Sequence, residues 1–220
     1  DLHLSIRRQR QMCIRDSTYS GTFLQCFTDI WTWCLQNGIQ PVLSQSYSSM
    51  VNFARCQVAG ADVNRGLKQK PFNGQHYDYM MWIDSDQIFK VENFTKLLSM
   101  QSDVASGWYS QPHGYTPVVE KLNEDYFAEN GHYQFIKEDE MQARKFAFKA
   151  DYIGFGWVLV KQGVFEQMEY PWFAPKKCKV PQGYEMCSED VAWCLDAKAL
   201  GIDIYVDPQI HVGHEKIQII

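Results

Sequence analysis

A nearly continuous apolar run of strand length, YDYMMWI, occupies residues 77–83. Runs of this kind are typical of a central strand that is covered on both faces. On either side the pattern alternates between helix and strand. Apolar helical stripes fall within 23–35 and 94–98, and short strands are predicted at 41–44 and 202–206. Strands that alternate with helices predict a layered α/β domain with a mostly parallel sheet.

The stretch from Pro112 to Lys149 departs from this alternation, because charged residues cluster in it. Its end alternates, which predicts a strand with four residues on one face: Phe146, Phe148, Ala150 and Tyr152. We therefore expect a small antiparallel insertion or edge here. Beyond it, a strand is predicted at 156–160, and Ser188 is expected to cap a helix that runs to about Leu200.

The composition excludes several classes of protein. The chain has 220 residues, of which 45% are hydrophobic and 15% aromatic, and its net charge is -5. This length fits one domain, and the aromatic content excludes intrinsic disorder. The acidic balance, without a basic stripe beyond the first residues, excludes a nucleic-acid binder that relies on bulk charge. No apolar run approaches the ~20 residues needed to span a bilayer.

The number and spacing of the cysteines predict the cellular compartment of the protein. There are seven, and none forms a C-x-x-C pair, so neither a zinc knuckle nor a redox motif is predicted. Several fall at apolar positions of helical patterns, where a free thiol behaves as a small hydrophobic group. Reduced thiols, and an opening without the apolar segment of a secretory signal, predict a cytoplasmic protein.

Residues 1–17 do not resemble the rest of the chain. They contain four arginines and show neither a helical nor a strand period. The string QMCIRDS at 11–17 resembles a translated sequencing adaptor. We therefore predict a non-native leader at 1–17 and a single domain at 18–220. A native basic arm is the alternative.

Two carboxylates follow the apolar run directly, in Asp84-Ser85-Asp86. In an open α/β sheet, ligands bind beyond the carboxyl ends of the strands. Two carboxylates one residue apart can both reach a hard divalent cation, whose shell is completed by phosphate oxygens and water. Such a cation would neutralise the charge that develops on a departing diphosphate. A solvated turn is the alternative.

Two later features carry ionisable groups. Asp190 falls in the first turn of a predicted helix, where the helix dipole keeps a carboxylate ionised, as a general base must be. A structural role at the helix start is the alternative. His211 and His214 follow the final strand, where a histidine could complete a metal shell begun upstream. Surface or core histidines are the alternative.

Two further segments are rich in glycine or aromatic residues. In Gly154-Phe155-Gly156 the glycines allow a close approach of another group to the backbone, or form a tight turn. No Lys-Ser or Lys-Thr follows them, so this is not a phosphate-binding loop. The YPWF segment at 170–173 is interpreted as an exposed aromatic cluster that suits a sugar face, with core packing as the alternative.

In their order and spacing, these features resemble the nucleotide-sugar-dependent glycosyltransferases of the GT-A fold, near the large family-two group and its viral and phage-encoded members. The resemblance covers 18–220 and rests on these segments in chain order: TYSG at 18–21, AR at 54–55, WIDSD at 82–86, GFG at 154–156, YPWF at 170–173, SED at 188–190, VDP at 206–208 and VGH at 212–214. It implies a Rossmann-like GT-A sandwich with a mixed, mostly parallel central sheet and a small antiparallel insertion.

The resemblance also implies an activity: metal-dependent transfer of a sugar from a nucleotide-diphosphate donor to a hydroxyl of a glycan, lipid or protein. Neither a nucleic-acid partner nor a transmembrane segment is expected, and a viral member would act in the host cytoplasm. The donor would contact Thr18, Tyr19, Arg55, Asp84 and Asp86.

The remaining roles are implied in the same way. Mn²⁺ or Mg²⁺ would be bound by Asp84, Asp86 and His214, with Asp86 as the main ligand. Asp190 would be the base of an inverting reaction. The acceptor would be bordered by Gly154, Phe155, Gly156, Trp172 and Glu189.

The chain departs from the family pattern in two places. An apolar first strand usually precedes the TYSG segment, but residues 13–17 read CIRDS there. The usual acidic residue that binds the base has no clear counterpart at 44–49. Two rival functions stay open: a nucleotidyltransferase, which would require a loop rich in glycine and arginine after the first strand, and a catalytically silent domain that binds carbohydrate or nucleotide.

Overall fold

The computed structural model describes residues 8–14, 19–180 and 183–216, and for 8–14 and Lys179 it describes the backbone alone. The strands are β1 (Arg8–Ile14), β2 (Ile39–Gln45), β3 (Tyr79–Ile83), β4 (Gln87–Ile88), β5 (Val104–Tyr109), β6 (Val118–Val119), β7 (Phe148–Lys149), β8 (Tyr152–Ile153), β9 (Trp157–Lys161), β10 (Lys176–Val180), β11 (Gly183–Cys187) and β12 (Ile204–His214). The α-helices are α1 (Gly21–Gln36), α2 (Val51–Val58), α3 (Val91–Met100), α4 (Glu124–Asn130), α5 (Glu138–Ala143) and α6 (Glu189–Ala199).

One large sheet organises the fold. Its strand order is β2-β1-β3-β9-β5-β12-β4, with β7 paired to β12. β1 is parallel to β2 and β3, and β5 is parallel to β12. β9 is antiparallel to both β3 and β5, so those two strands point the same way. The predicted mixed, mostly parallel sheet is confirmed.

The apolar run at 77–83 is explained by burial on both faces of β3. Alternate side chains point to opposite faces of a strand. Met80 and Trp82 enter one hydrophobic cluster, together with residues of α2 and α6. Met81 and Ile83 enter a second cluster, together with residues of α1 and α3. Because both faces are covered, the strand has no solvent side on which polar residues would be favoured.

The first long helix begins where the sequence supplies a capping residue. The Ser20 hydroxyl accepts a hydrogen bond of 3.0 Å from the amide of Phe23, which satisfies one of the free amides of the first turn of α1. The predicted apolar stripe is confirmed at its buried positions: Phe23, Ile30 and Cys34. None of the helices in the described ranges is long and apolar enough to cross a membrane.

Residues 8–14, for which no element is predicted, form β1 in the interior of the sheet. Arg10 pairs with Pro41 of β2 on one side and with Tyr79 of β3 on the other. The backbone explains this placement, because two parallel strands each offer a row of hydrogen-bonding groups to a strand between them. A strand therefore precedes the TYSG segment although its sequence departs from the apolar pattern of the family. The origin of residues 1–17 stays a prediction.

The strand predicted at 146–152 is divided in two. Phe148 of β7 pairs with Val206 of β12, whereas Tyr152 of β8 pairs with Val119 of β6, so the chain changes sheets between them. Phe146 is 83% exposed and shares no buried face with these residues. The pairings are antiparallel, as predicted for this region. The insertion also contains α4 and α5, which the sequence reasoning missed although Asn123 caps α4.

The last strand continues past the point where its end is predicted. β12 extends beyond Asp207-Pro208 to His214, with a shift of register against β5 between Val206 and His211. The Pro208 carbonyl accepts a hydrogen bond of 2.8 Å from the Trp108 indole, so the irregular segment is tied to β5. This continuation brings His214 beside β4, where it pairs with Gln87.

Candidate active site

The segments with predicted functional residues meet at one edge of the sheet. Because β1, β3, β5 and β12 are parallel, their carboxyl ends lie at the same edge. Tyr19, Asp84 and His214 lie at or just beyond such ends. β9 is antiparallel, so the preceding segment at 154–156 reaches the same edge from the other direction. The topology therefore explains why residues far apart in the sequence converge.

The Asp84-Ser85-Asp86 motif forms the turn between β3 and β4. The Asp84 amide donates a hydrogen bond of 3.0 Å to the Gly156 carbonyl, and the Asp84 carbonyl accepts one of 3.1 Å from Gln87. The Glu215 amide donates to the Asp86 carbonyl at 2.7 Å. These bonds fix the turn from both sides and hold its two carboxylates at the sheet edge.

Asp86 and His214 form the central pair of the site. The His214 Nε2 atom lies 2.9 Å from the Asp86 Oδ2 atom, and its Nδ1 atom lies 2.9 Å from the Ser110 carbonyl oxygen. A carbonyl can only accept, so Nδ1 carries a proton and Nε2 faces the carboxylate. The hydrogen bond to Asp86 raises the pKa of His214. Burial raises the pKa of Asp86, but the hydrogen bond and charge of His214, the hydrogen bond from Gln87 and the charge of Lys216 together outweigh it and leave that pKa lowered.

This pair fits a divalent cation in its donor chemistry. Carboxylate oxygen and imidazole nitrogen both suit Mn²⁺, and a backbone carbonyl that fixes the histidine tautomer is the usual support for a metal-binding imidazole. Within the described ranges, no group of three or more His, Cys, Asp or Glu side chains is arranged to hold an ion. The predicted third ligand, Asp84, instead lies 3.6 Å from an Arg55 nitrogen. The described residues therefore supply a two-residue donor pair.

Arg55 connects the motif to the start of α6. Its side chain is buried, and besides the contact to Asp84 its Nε atom lies 3.7 Å from the Glu189 carboxylate. The guanidinium also lies over the rings of Phe155 and Phe173, at 5.2 and 5.7 Å from their centroids. Burial lowers the pKa of Arg55, but the surrounding carboxylates, led by Asp84, outweigh it and leave that pKa raised. The group is a fixed cation.

Two nitrogen atoms of the Arg55 side chain make no hydrogen bond to the described residues. Nε and Nη1 are buried and have no hydrogen-bond partner among the described residues, since the neighbouring carboxylates lie at ion-pair distances. Buried polar atoms are rarely left unpaired in folded proteins. The Arg55 guanidinium is therefore held mainly by charge and by the aromatic rings around it.

Asp190 lies in the first turn of α6, at the same edge. Its Oδ2 atom accepts a hydrogen bond of 3.1 Å from the Tyr152 hydroxyl, and its Oδ1 atom accepts one of 2.9 Å from the Val191 amide. The Ser188 hydroxyl also donates to Oδ1. Ser188 is the N-cap of α6, as predicted, but its side chain bonds Asp190 instead of a helix amide.

The two glycines at 154 and 156 admit Tyr109, a residue that the sequence reasoning missed. A Cβ atom at Gly154 would lie 2.5 Å from the Tyr109 hydroxyl oxygen, and one at Gly156 would lie 2.8 Å from its ring. Burial and then the Asp84 carboxylate raise the pKa of Tyr109, so its hydroxyl stays protonated. The signal for Tyr109 was available, because it ends β5 at the same sheet edge.

Some predicted site residues are not brought to an open surface. Phe155 and Trp172 are 1% exposed and belong to a buried aromatic cluster, so the expectation of an exposed aromatic segment is wrong at Trp172 and at Phe173. The core-packing alternative holds there. His211 stacks on Trp108 at 4.0 Å between ring centroids, apart from the Asp86 pair. Tyr19 stacks on Phe23 at the edge, and Thr18 lies outside the described residues.

Solved structures have similar folds. A197 from STIV is 15% identical, with a TM-score of 0.51 over 97% of this chain and 96% of that chain. The structure of GalNAc-T7 with UDP, GalNAc and Mn²⁺ is 10% identical, with a TM-score of 0.55 over 97% of this chain and 44% of that chain. Glucosyl-3-phosphoglycerate synthase from Mycobacterium tuberculosis, with Mn²⁺ and UDP-glucose, is 13% identical, with a TM-score of 0.47 over 97% of this chain and 73% of that chain.

At these identities the likenesses concern the fold alone. The first two confirm the predicted fold class, an α/β domain of the GT-A type with a mixed central sheet. The chain spans less than half the length of the GalNAc-T7 chain that it matches. No protein-family model matches the sequence, and no curated protein matches it.

Proposed function

We propose that this protein is a metal-dependent glycosyltransferase that moves a sugar from a nucleotide-diphosphate donor to a hydroxyl acceptor. The observation that carries the proposal is the pairing of Asp86 with His214 at 2.9 Å, at the sheet edge that also holds the buried Arg55 and Asp190. The fold is shared with a protein whose structure contains UDP and Mn²⁺. One edge thus combines a metal donor pair, a fixed cation and a carboxylate base.

The donor end would use Asp86, His214 and Arg55. A divalent cation held by Asp86 and His214 would neutralise the negative charge that develops on the departing diphosphate. Arg55 would attract the diphosphate through its fixed charge, which burial leaves weakly screened. Asp84 would hold the guanidinium in place, and Tyr19 would contact the nucleoside. The resemblance implies the same contact for Thr18, which lies outside the described residues.

The acceptor end would use Asp190. In an inverting displacement, the acceptor oxygen forms a bond to the sugar C1 atom while its proton passes to the Asp190 carboxylate. The bond between C1 and the diphosphate oxygen breaks, and its electron pair leaves with the diphosphate. Glu189 precedes Asp190 in the chain and would border the acceptor. Gly154 and Gly156, buried against Tyr109, and the buried side chains of Phe155 and Trp172 would act by packing beneath the site.

Calorimetric titration of UDP and GDP, with and without Mn²⁺, tests the donor site. We expect Mn²⁺-dependent binding of one nucleotide to the wild type, lost in Asp86→Asn. The matched control is Asp103→Asn, an exposed carboxylate paired with Lys161 at 3.7 Å, which should bind like the wild type. Equal binding by the wild type and Asp86→Asn, both folded, would exclude this site.

Transfer is tested separately with Asp190→Asn. Removing a general base lowers a rate by about 10²–10⁴-fold, so we expect that loss in transfer with nucleotide binding retained. Nucleotide binding by the wild type without any transfer across a panel of donors and hydroxyl acceptors would instead favour the silent binding domain.

A further inference from the structure

Two cysteines lie together in the hairpin that leads into α6. β10 and β11 are antiparallel, and Cys178 pairs with Glu185 while Lys176 pairs with Cys187. Cys187 is two residues beyond the partner of Cys178, so both thiols lie on the same face of the hairpin as diagonal neighbours. The Cys187 thiol and the Tyr133 hydroxyl both act on the pKa of Cys178, as expected for groups that lie beside it.

Both thiols also line one small cavity beside the active site. Its volume is about 160 Å³, and its walls include Tyr133, Tyr152 and Ser188. Tyr152 and Ser188 are the residues that hydrogen-bond Asp190. The exposed residues Glu185 and Met186 border the cavity, so a small oxidant can reach it from solvent. Cys178 is half-buried and Cys187 is buried, so Cys178 is the thiol that an oxidant meets first, and both thiols lie next to the groups that hold Asp190.

We propose that Cys178 and Cys187 form a reversible disulfide, which displaces the start of α6 and the Asp190 carboxylate. The oxidant would be a peroxide or a low-mass disulfide. With glutathione disulfide, one cysteine thiolate attacks and releases one glutathione, and the second cysteine then displaces the other glutathione. Two thiols are oxidised to one disulfide, and one glutathione disulfide is reduced to two thiols.

The pairing of β10 with β11 explains why a disulfide would displace the start of α6. Diagonal neighbours in a hairpin have Cα atoms about 7–8 Å apart, whereas disulfides usually join Cα atoms about 4.4–6.8 Å apart. Closing the bond must therefore pull the strands together by roughly 1 Å. Cys187 is bonded directly to Ser188, so this movement reaches the N-cap of α6 and, two residues later, Asp190.

The reaction is expected to be slow at neutral pH. Burial and the neighbouring Cys187 thiol raise the pKa of Cys178 to about 11. Only the thiolate attacks a disulfide, so little of this group is reactive at any moment. The experiment therefore uses glutathione disulfide at mildly alkaline pH over several hours, followed by a reductant.

The direct test is the mass and the peptide map of the oxidised full chain. We expect a loss of two hydrogens, two of the seven cysteines protected from alkylation, and one linked peptide pair containing Cys178 and Cys187. The control Cys26→Ser should react like the wild type, whereas Cys178→Ser and Cys187→Ser should not. Alkylation of all cysteines, or a linkage that joins other cysteines, would overturn the proposal, and the wild-type map decides this even if a variant fails to fold.

The displacement is tested by hydrogen exchange of peptides that cover 187–194, compared between oxidised and reduced protein. We expect altered exchange there, and unaltered exchange in α1 as the internal control. An unchanged 187–194 segment in protein that carries the bond would overturn the displacement. The consequence for catalysis rests on the proposed function: a shift of about 1 Å should lower kcat about 100-fold, restored by reductant. If the reduced protein shows no transfer, the proposed function fails, while mapping and exchange still decide the disulfide.

Discussion

The buried Arg55 network predicts a large and specific loss of stability in Arg55→Met. The substitution removes the cation that lies 3.6 Å from the Asp84 carboxylate and 3.7 Å from the Glu189 carboxylate, each of which is 17% exposed. Breaking a buried ion pair by removing one partner costs about 3–5 kcal/mol. The separations of 3.6 and 3.7 Å and the partial exposure of both acids favour the low end of that range. The lost contacts with Phe155 and Phe173 add about 1 kcal/mol, so we expect a total of about 4 kcal/mol.

Denaturant unfolding of the wild type and Arg55→Met, analysed with a common m value, measures this loss. The matched control is Arg144→Met, because Arg144 also pairs with a carboxylate, Glu120 at 2.5 Å, and lies over Phe148 at 4.2 Å. That pair is partly exposed to solvent, and such pairs contribute about 0–1 kcal/mol. The comparison therefore isolates the effect of burial on otherwise similar contacts.

A mutant cycle then tests the cause. In the background Asp84→Asn with Glu189→Gln, the two side chains that contact Arg55 are neutral before Arg55 is replaced. The effect of Arg55→Met there should fall to about 1 kcal/mol, the share of the aromatic contacts. Equal losses for Arg55→Met and Arg144→Met, or an undiminished loss in the neutralised background, would refute the reasoning from burial.

Three further predictions address the site. His214→Asn should abolish the Mn²⁺ dependence of UDP binding measured by calorimetry, while His211→Asn, which alters only the histidine stacked on Trp108, should retain it; equal effects would count against the Asp86 pair. Tyr152→Phe removes the hydrogen bond to Asp190, worth about 0.5–1.5 kcal/mol, and should lower kcat about two- to tenfold with KM unchanged in transfer assays; a change confined to KM would contradict it. Gly156→Ala should destabilise by about 1–3 kcal/mol in denaturant unfolding, because the added Cβ meets the Tyr109 ring at 2.8 Å; Tyr109→Leu in the same chain should recover part of that loss, and no recovery would place the strain elsewhere.

The sequence alone predicts the elements that form because of the pattern of their own residues. Because β3 is buried on both faces, it appears in the sequence as a continuous apolar run. The apolar stripe from Phe23 to Cys34 predicts α1 in the same way. The sequence was insufficient where long-range pairing decides. β1 has no period of its own and is a strand because β2 and β3 flank it. β12 passes through Asp207-Pro208 because its second half pairs with β4 and β5.

The same distinction applies to the site. Asp84, Asp86, His214 and Asp190 could be found because strand ends and helix starts are visible in the sequence, and in an α/β sheet those positions share one edge. The contacts that these residues make with one another could not be predicted in that way. Which carboxylate contacts Arg55 and which contacts His214 depends on how the turn after β3 is oriented, and that orientation is set by the bonds of Asp84 to Gly156 and of Asp86 to Glu215.

The segment Gly154-Phe155-Gly156 illustrates why residue type alone did not reveal the roles. Sequence reasoning placed all three residues at the acceptor. In the structure the two glycines lie against Tyr109, and the Phe155 ring between them lies against the Arg55 guanidinium. Phe173 contacts the same guanidinium from the aromatic segment at 170–173. Both aromatic segments therefore contact Arg55. Their rings exclude water from this cation, so its charge is weakly screened, and in the proposed function they would act on the donor side through it.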